Sequence, residues 1–288
     1  MELRGKVAVI TGGTRGIGLA IARSFAEQGA AVVLASRSQK AVDAAVELIQ
    51  RQGGQAAGMA VDVAQYAQVQ SLLRLALSQF GRLDIWVNNA GTAGPYGPTL
   101  DLCTRAFSEV VQTNILGVYH GSRAAMLHFV AQGSGKLINL LGHGYKGPVP
   151  WQNAYSASKA WVRSFTKALA EEYKDSGVGV FAFNPGMVLT DLVTDVQVVE
   201  GSQPRLEKFP MVVRMLAKPV EVPAQKAVWL ASCATDGKTG LLVSLFSPWT
   251  MLVGALKEGW RALLKRPEPP LDLRIRVIPI DQDETNAV

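Results

Sequence analysis

Thr11-Gly12-Gly13-Thr14-Arg15-Gly16-Ile17-Gly18 is the stretch that decides how this chain folds. An apolar run of strand length, Val7–Thr11, leads into it, and a stretch of helical period from Ile17 to Gln28 leads out. Glycines at such a junction let the backbone turn tightly, approach a pyrophosphate and aim the free amides of a helix N-terminus at it. Gly also ends helices and fills turns, so the strand-turn-helix setting carries the inference rather than the glycines alone.

The same alternation runs down the chain. Strand-length apolar runs occur at Val7–Thr11, Ala31–Ser36, Gln55–Val61, Leu83–Asn88, Gly135–Leu141, Val178–Asn184 and Leu241–Leu245. Each is nearly all apolar, as a strand covered on both faces must be. Stretches of helical period lie near Ile17–Gln28, Lys40–Gln52, Ala67–Phe80, Leu102–Val130, Asn153–Lys174 and Glu221–Ser232. Repeated βαβ units with right-handed crossovers predict an α/β fold: a Rossmann-type, doubly wound, seven-stranded parallel sheet with helices on both faces. No linker splits the chain, so residues 1–266 are expected to form a single domain. The Pro-rich stretch Pro267–Pro270 marks its end, and residues 267–288 read as a loosely held C-terminal tail.

Of the 288 residues, 48% are hydrophobic and 18% charged, a balance that excludes a disordered chain. The net charge is +6, but Lys and Arg are scattered, without a basic run or an aromatic-interleaved motif, so no nucleic acid is expected as a partner. A basic surface equally suits a binder of phosphorylated small molecules. Cys103 and Cys233 lie in apolar helical patterns with neither metal-ligand nor disulfide spacing, and they read as reduced, buried and inert, with no metal site. A strand starting near Lys6 leaves no room for a secretory leader, which points to a cytoplasmic protein.

The glycine stretch has the spacing TGxxxGxG, and further segments follow in order. Asp62-Val63 ends the third strand, Asn88-Asn89-Ala90-Gly91 ends the fourth, and Tyr155-Ser156-Ala157-Ser158-Lys159 comes one unit after the fifth. In this register the chain resembles the short-chain dehydrogenase/reductase family over nearly all of its length. The resemblance implies that Gly12, Gly16 and Gly18, with Thr14, Arg15 and Ile17 between them, hold a nicotinamide dinucleotide. It also implies that Asp62 and Val63 contact adenine and that Asn89, Ala90 and Gly91 line a ribose. After the sixth strand, Pro185, Gly186, Val188 and Thr190 would close on the nicotinamide, with Val188 backbone and Thr190 hydroxyl holding its carboxamide.

An acidic side chain at the end of the second strand would accept hydrogen bonds from the adenosine ribose and repel a 2′-phosphate. Ser36 and Arg37 stand there instead. The planar fork of Arg37 can pair with a phosphate, and Arg15 adds a second base inside the glycine turn. The expected cofactor is therefore NADP(H), with NAD(H) as the lesser alternative.

Tyr155 and Lys159, four residues apart, share one face of a helix. Reducing a carbonyl requires a proton for the developing alkoxide, and a phenol titrating near about 10 needs a neighbouring ammonium to exchange protons near neutrality. From the family resemblance, Lys159 also holds the nicotinamide ribose, and Asn114 kinks its helix and anchors a water relay to the lysine. The family's fourth catalytic member is a serine about thirteen residues before the tyrosine, where this sequence has Gly142. No Ser or Thr occurs from Lys136 to Ala154, so realignment recovers no hydroxyl. Losing one oxyanion donor costs roughly 100- to 1000-fold in turnover.

Three readings of Gly142 stay open. His143 or Tyr145 donates in place of the serine; the substrate polarises itself or needs the room; or the chain binds NADP(H) as a sensor or partner subunit without useful turnover. The intact Tyr155, Lys159 and Asn114 favour an oxidoreductase that transfers a hydride between nicotinamide and a carbonyl or secondary alcohol.

Residues 191–218 correspond to the family's substrate lid, and Trp151, Met187, Val193, Phe209 and Met211 suggest an apolar pocket for a lipophilic small molecule. The last helical stretch, Trp249 to about Leu264, places Leu252, Leu256, Trp260 and Leu263 on one side. Packing on its own core or a partner subunit is the default reading there, and peripheral membrane contact through residues 249–265 is the alternative. The resemblance implies a homodimer or homotetramer.

Overall fold

The computed structural model of the chain describes residues 1–264 and 271–280. Its first half alternates β1 (Val7–Thr11), α1 (Gly16–Glu27), β2 (Ala31–Ser36), α2 (Gln39–Arg51), β3 (Gln55–Ala60), α3 (Tyr66–Phe80) and β4 (Ile85–Asn88). There follow α4 (Thr104–Val111), α5 (Gly117–Gln132), β5 (Gly135–Leu140), α6 (Asn153–Glu172) and β6 (Val178–Asn184). The last part holds α7 (Asp191–Thr194), β7 (Asp195–Val199), α8 (Phe209–Leu216), α9 (Glu221–Ala231), β8 (Leu242–Ser244), α10 (Pro248–Leu263) and β9 (Arg274–Ile278).

Seven strands form one parallel sheet in the order β3-β2-β1-β4-β5-β6-β8, the doubly wound arrangement expected from the alternation. Its central strands are mostly apolar on both faces because both are covered. Ala8 and Ile10 of β1 join Val32, Leu34, Ile85, Val87, Phe181 and Phe183 against α1, α2 and α9. Val7 and Val9 point the other way, with Val33, Trp86, Leu137 and Val180, against α3, α5 and α6. The reversal of strand order between β1 and β4 opens a crevice at the carboxyl ends of these strands, where such sheets bind ligands.

Two expectations need correction. The stretch expected as a helix over Leu102–Val130 runs as one helical rod from α4 into α5, widened by a π-turn over Gln112–Leu116 that carries the fully buried Asn114. A widened turn lets this polar side chain face inward without breaking the rod, and apolar periodicity carries no sign of it. The tail is not loose over its described part, because β9 pairs in parallel with β7 from Asp195↔Arg274 to Val199↔Ile278. The boundary at 266/267, Pro267–Pro270 and the residues beyond 280 lie outside the described residues. Finally, Cys233 is exposed in a short turn after α9, and Cys103 is half-buried at the start of α4, where its Sγ accepts the Ala106 amide.

Polar groups stitch the centre of the sheet to its helices. Asn88 Nδ2 donates to Asn139 Oδ1 at 2.8 Å and to Ser122 Oγ at 3.1 Å, while Asn88 Oδ1 accepts from Trp86 Nε1 at 2.8 Å. Asn139 Nδ2 donates to Thr166 Oγ1 at 3.0 Å, so β4, β5, α5 and α6 share one buried network. Such groups cost little while every partner is present and much when one is lost. A Cβ at Gly121 would run into Asn88 Oδ1 and lie 2.8 Å from Trp86 Nε1. Gly121→Ala is expected to lower unfolding free energy by about 2–4 kcal/mol in urea titration, the range for overpacking plus a broken buried bond.

Candidate active site

The glycine turn is built by close approach. A Cβ on Gly12 would sit 2.9 Å from Ala90 Cα, and one on Gly18 would strike the Gly12 carbonyl and lie 2.9 Å from its carbon. Gly16 adopts φ +54°, where a side chain is strained. Thr11 Oγ1 donates to the Val87 carbonyl and accepts the Asn89 and Ala90 amides at 3.1 and 3.2 Å. Asn89 Nδ2 returns the contact to the Thr11 and Gly12 carbonyls at 2.9 and 3.0 Å. The turn is thereby locked to the end of β4, and α1 begins at Gly16 with no side-chain cap and no acidic residue in its first turn. Those free amides and the side-chain-free cradle suit the pyrophosphate of a dinucleotide.

Around this cradle, Ser36 is half-buried at the end of β2 and Arg37 is exposed beside it. Asp62 is half-buried and its carboxylate accepts the Ala64 amide at 3.0 Å, whereas Val63 is buried and packs close to Gly117. Thr14 and Ile17 are half-buried, and Arg15 is exposed, where it meets Asp191 of α7 at 2.6 Å. Past β6, Pro185 is buried, Gly186 turns at φ +74° with its amide on Asn184 Oδ1, and Val188 is buried. Thr190 comes within 3.0 Å of where a Gly16 Cβ would stand, so the segment after β6 closes over the mouth of the turn.

Tyr155 and Lys159 are buried side by side on α6, 9% and 5% exposed. Lys159 Nζ donates to the Leu140 carbonyl at 3.2 Å and stands 5.6 Å from the centre of the Tyr155 ring. A Gly91 Cβ would lie 3.7 Å from Lys159 Nζ and 3.3 Å from Asn114 Oδ1, which brings this pair against the segment after β4. Asn114 spends its whole amide on neighbours: Oδ1 accepts the Thr92 amide, and Nδ2 donates to the Thr92 carbonyl and to Ser158 Oγ, each within 3.0 Å. Sequence reasoning missed Thr92, Thr11 and Asn88 as supports of the site; the signal was their position at or just beyond strand ends.

Gly142 faces the phenol directly. A Cβ there would collide with the Tyr155 hydroxyl and lie 3.0 Å from its Cζ. His143 is exposed, with its pKa pushed below the ordinary imidazole value by desolvation. Tyr145 is buried with Lys146 and Arg163 over its ring. Trp151, at φ 63°, is the one described non-glycine residue in the left-handed region; its carbonyl accepts the Gly97 amide and its ring lies 4.3 Å from Arg205. Of the other proposed pocket residues, Met187, Val193 and Phe209 are half-buried and Met211 is exposed.

A nucleotide cradle beside a buried Tyr–Lys pair defines a dinucleotide-dependent α/β enzyme class, and comparison with known proteins identifies which one. The sequence pattern of the family described as short chain dehydrogenase matches residues 6–200, and this chain belongs to that family. Glucose 1-dehydrogenase 2 of Bacillus subtilis is 34% identical over 241 residues, covering 83% of this chain and 92% of its own. The crystal structure of 3-ketoacyl-(acyl-carrier-protein) reductase from Brucella melitensis complexed with NADH has a TM-score of 0.76 at 32% identity, covering 84% of this chain and 97% of that one. Actinorhodin polyketide ketoreductase with NADPH gives 0.75 at 26% identity, covering 83% and 95%. Membership makes this chain an oxidoreductase of CH–OH and C=O groups, and the neighbours' NADH and NADPH support a nicotinamide cofactor.

Burial sets the charges of the pair. It pushes the Tyr155 phenol up to about 12 and the Lys159 ammonium down to about 8. Below about pH 8 Lys159 is protonated in folded and unfolded chains alike, and the fold bears its desolvation cost. Between about 8 and the ordinary 10.5 only the folded state has released the proton, so stability rises with pH. Tyr155 opposes this only above its ordinary 10.0. Wild type should therefore gain roughly 1–2 kcal/mol on Lys159→Met between about pH 7.5 and 9.5 in urea midpoints, and a constant difference would show that Lys159 titrates like a free lysine.

Proposed function

We propose that this protein is an NADP(H)-dependent reductase or dehydrogenase for a carbonyl or secondary alcohol on a lipophilic small molecule. The buried juxtaposition of Tyr155, Lys159 and Asn114 against the ribose-lining Gly91 carries the proposal. Packing alone gives no reason to bury a lysine beside a phenol, since the charged form is desolvated at a cost.

At the adenosine end, the exposed Arg37 beside Ser36 offers a guanidinium where an acid would disfavour a 2′-phosphate. Arg15 is engaged by Asp191, but both side chains are largely exposed, at 76% and 62%, and such pairs are readily exchanged for a better anion. Bound dihydronicotinamide supplies the hydride. Tyr155, a protonated phenol at neutral pH, gives its proton to the oxygen that becomes an alkoxide. Protonated Lys159 favours the phenolate left behind. Asn114 positions rather than reacts, by fixing Thr92 and Ser158 and with them the start of α6.

Gly142 fits this scheme as a space requirement. The Tyr155 hydroxyl occupies the volume into which a side chain at 142 would project, so the phenol serves both to polarise the carbonyl and to protonate it. For the substrate, the half-buried Trp151, Met187, Val193 and Phe209 favour an apolar group, and the polyketide ketoreductase neighbour is consistent with a bulky one. A homodimer or homotetramer is supported by the exposed Tyr119, Leu127 and Val130 along α5.

Tyr155→Phe should abolish carbonyl-dependent NADPH oxidation while leaving NADPH binding intact; loss of neither would remove the enzyme reading. Arg37→Asp should invert the NADPH:NADH preference in kcat/KM. Gly142→Ala and Gly142→Ser should both reduce single-turnover rates on the order of 10- to 100-fold by displacing the phenol. A serine variant faster than wild type would show instead that a donor is what the site lacks. Turnover on long-chain or polycyclic ketones should exceed that on small polar ones.

A further inference from the structure

We propose that α10 docks this protein on an anionic lipid surface, lying in the interface without crossing the bilayer. Helix α10 is built inside out. Trp249, Leu252, Val253, Leu256, Trp260 and Leu263 are between 47% and 73% exposed. At 100° per residue they form one stripe about a third of the way round the helix. The side turned to the protein is small or polar. Gly254 is buried so close to α8 that a Cβ would lie 3.1 Å from the Met215 carbonyl carbon, and the Glu258–Arg261 pair, 2.9 Å apart, is only 13% and 19% exposed. A helix packed on a soluble core does the reverse, with its apolar stripe inward.

The chemistry of the stripe and its flank selects the occupant. A tryptophan stands toward each end, and indole favours the headgroup region, where its ring and N–H are both accommodated. Lys257 borders the stripe and is the only charged side chain that α10 exposes among the described residues, and the sequence continues with Lys265-Arg266. On a chain of net charge +6 this arrangement is complementary to anionic headgroups and repelled by a second copy of itself. The area points the same way. Sixteen residues of helix span about 24 Å, and a stripe about 10 Å wide covers on the order of 250 Å², against about 800 Å² per partner in a stable dimer. No helix among the described residues is long and apolar enough to span a bilayer.

The test reads binding rather than turnover, so it stands or falls separately from the catalytic proposal. Full-length protein should float with phosphatidylcholine vesicles containing about one-third phosphatidylglycerol, weaken as salt rises, and bind pure phosphatidylcholine much less. Leu256→Glu with Trp260→Glu, both at exposed positions, should cut vesicle binding more than about tenfold. Its far-ultraviolet circular dichroism and urea midpoint should match wild type. Should that variant unfold, quenching of wild-type tryptophan fluorescence by brominated lipid answers the same question, with quenching expected. Wild type that stays in the soluble fraction and is not quenched overturns the proposal. If the double variant then also halves the mass measured by light scattering, a second copy covers the stripe instead.

Discussion

Between Gly12 and Ala90 there is no room for a side-chain carbon, and between Gly18 and the Gly12 carbonyl there is none either. That closeness brings three things to one point at the switch in strand order: the free amides of α1, the end of β1 and the segment after β4. Thr11 and Asn89 hold it with five hydrogen bonds that cross between the two strand ends. Because the contacts are mostly to backbone, the geometry of the cradle is fixed before any ligand arrives, and little ordering is left to be done on binding.

The second half of the site depends on the first through Gly91, which stands against both Lys159 Nζ and Asn114 Oδ1. Lys159 is also tied to β5 through the Leu140 carbonyl, one residue beyond Asn139 of the buried amide network. The ammonium and the cradle are therefore both tied to central strands, Lys159 to β5 and the glycine turn to the end of β4, and apolar packing covers both faces there. Burial has opposite effects on the two titrating groups, raising Tyr155 and lowering Lys159, so the pair is poised with a protonated phenol beside an ammonium that gives up its proton unusually easily. An acid with that neighbour can lose its proton to a reacting oxygen and recover it locally.

The strands were readable because the central ones are covered on both faces and so stay mostly apolar, as in Val178–Asn184, with all seven residues buried. What escaped was of a different physical kind. The π-turn at Gln112–Leu116 leaves the apolar period of the flanking helices nearly undisturbed, and only Asn114 betrays it. The pairing of β7 with β9 joins segments about eighty residues apart whose alternation is weak, since β9 is exposed along most of its length. Tyr155, Lys159 and Asn114 were named from motif and register, and the structure brings them together. The consequence of Gly142 was not readable, because it depends on where the phenol of another element comes to rest.

The matched family pattern ends at residue 200, and α8, α9, β8, α10 and β9 come after it. Strand β7 is bracketed by Tyr96, which exchanges backbone bonds with Gln197 and Val199, and by β9 from the far end of the chain. Helix α8 carries α10 on its outer side. Against the glycine turn residues 191–218 have far less: the exposed Arg15–Asp191 pair, with Thr190 just before them approaching Gly16. Residues 191–218 are thus joined firmly to their own flanks and weakly to the cradle, since an exposed ion pair contributes little. The exposed seam between residues 191–218 and the glycine turn is therefore the weakest join around the cradle, while Tyr155 and Lys159 stay buried on α6.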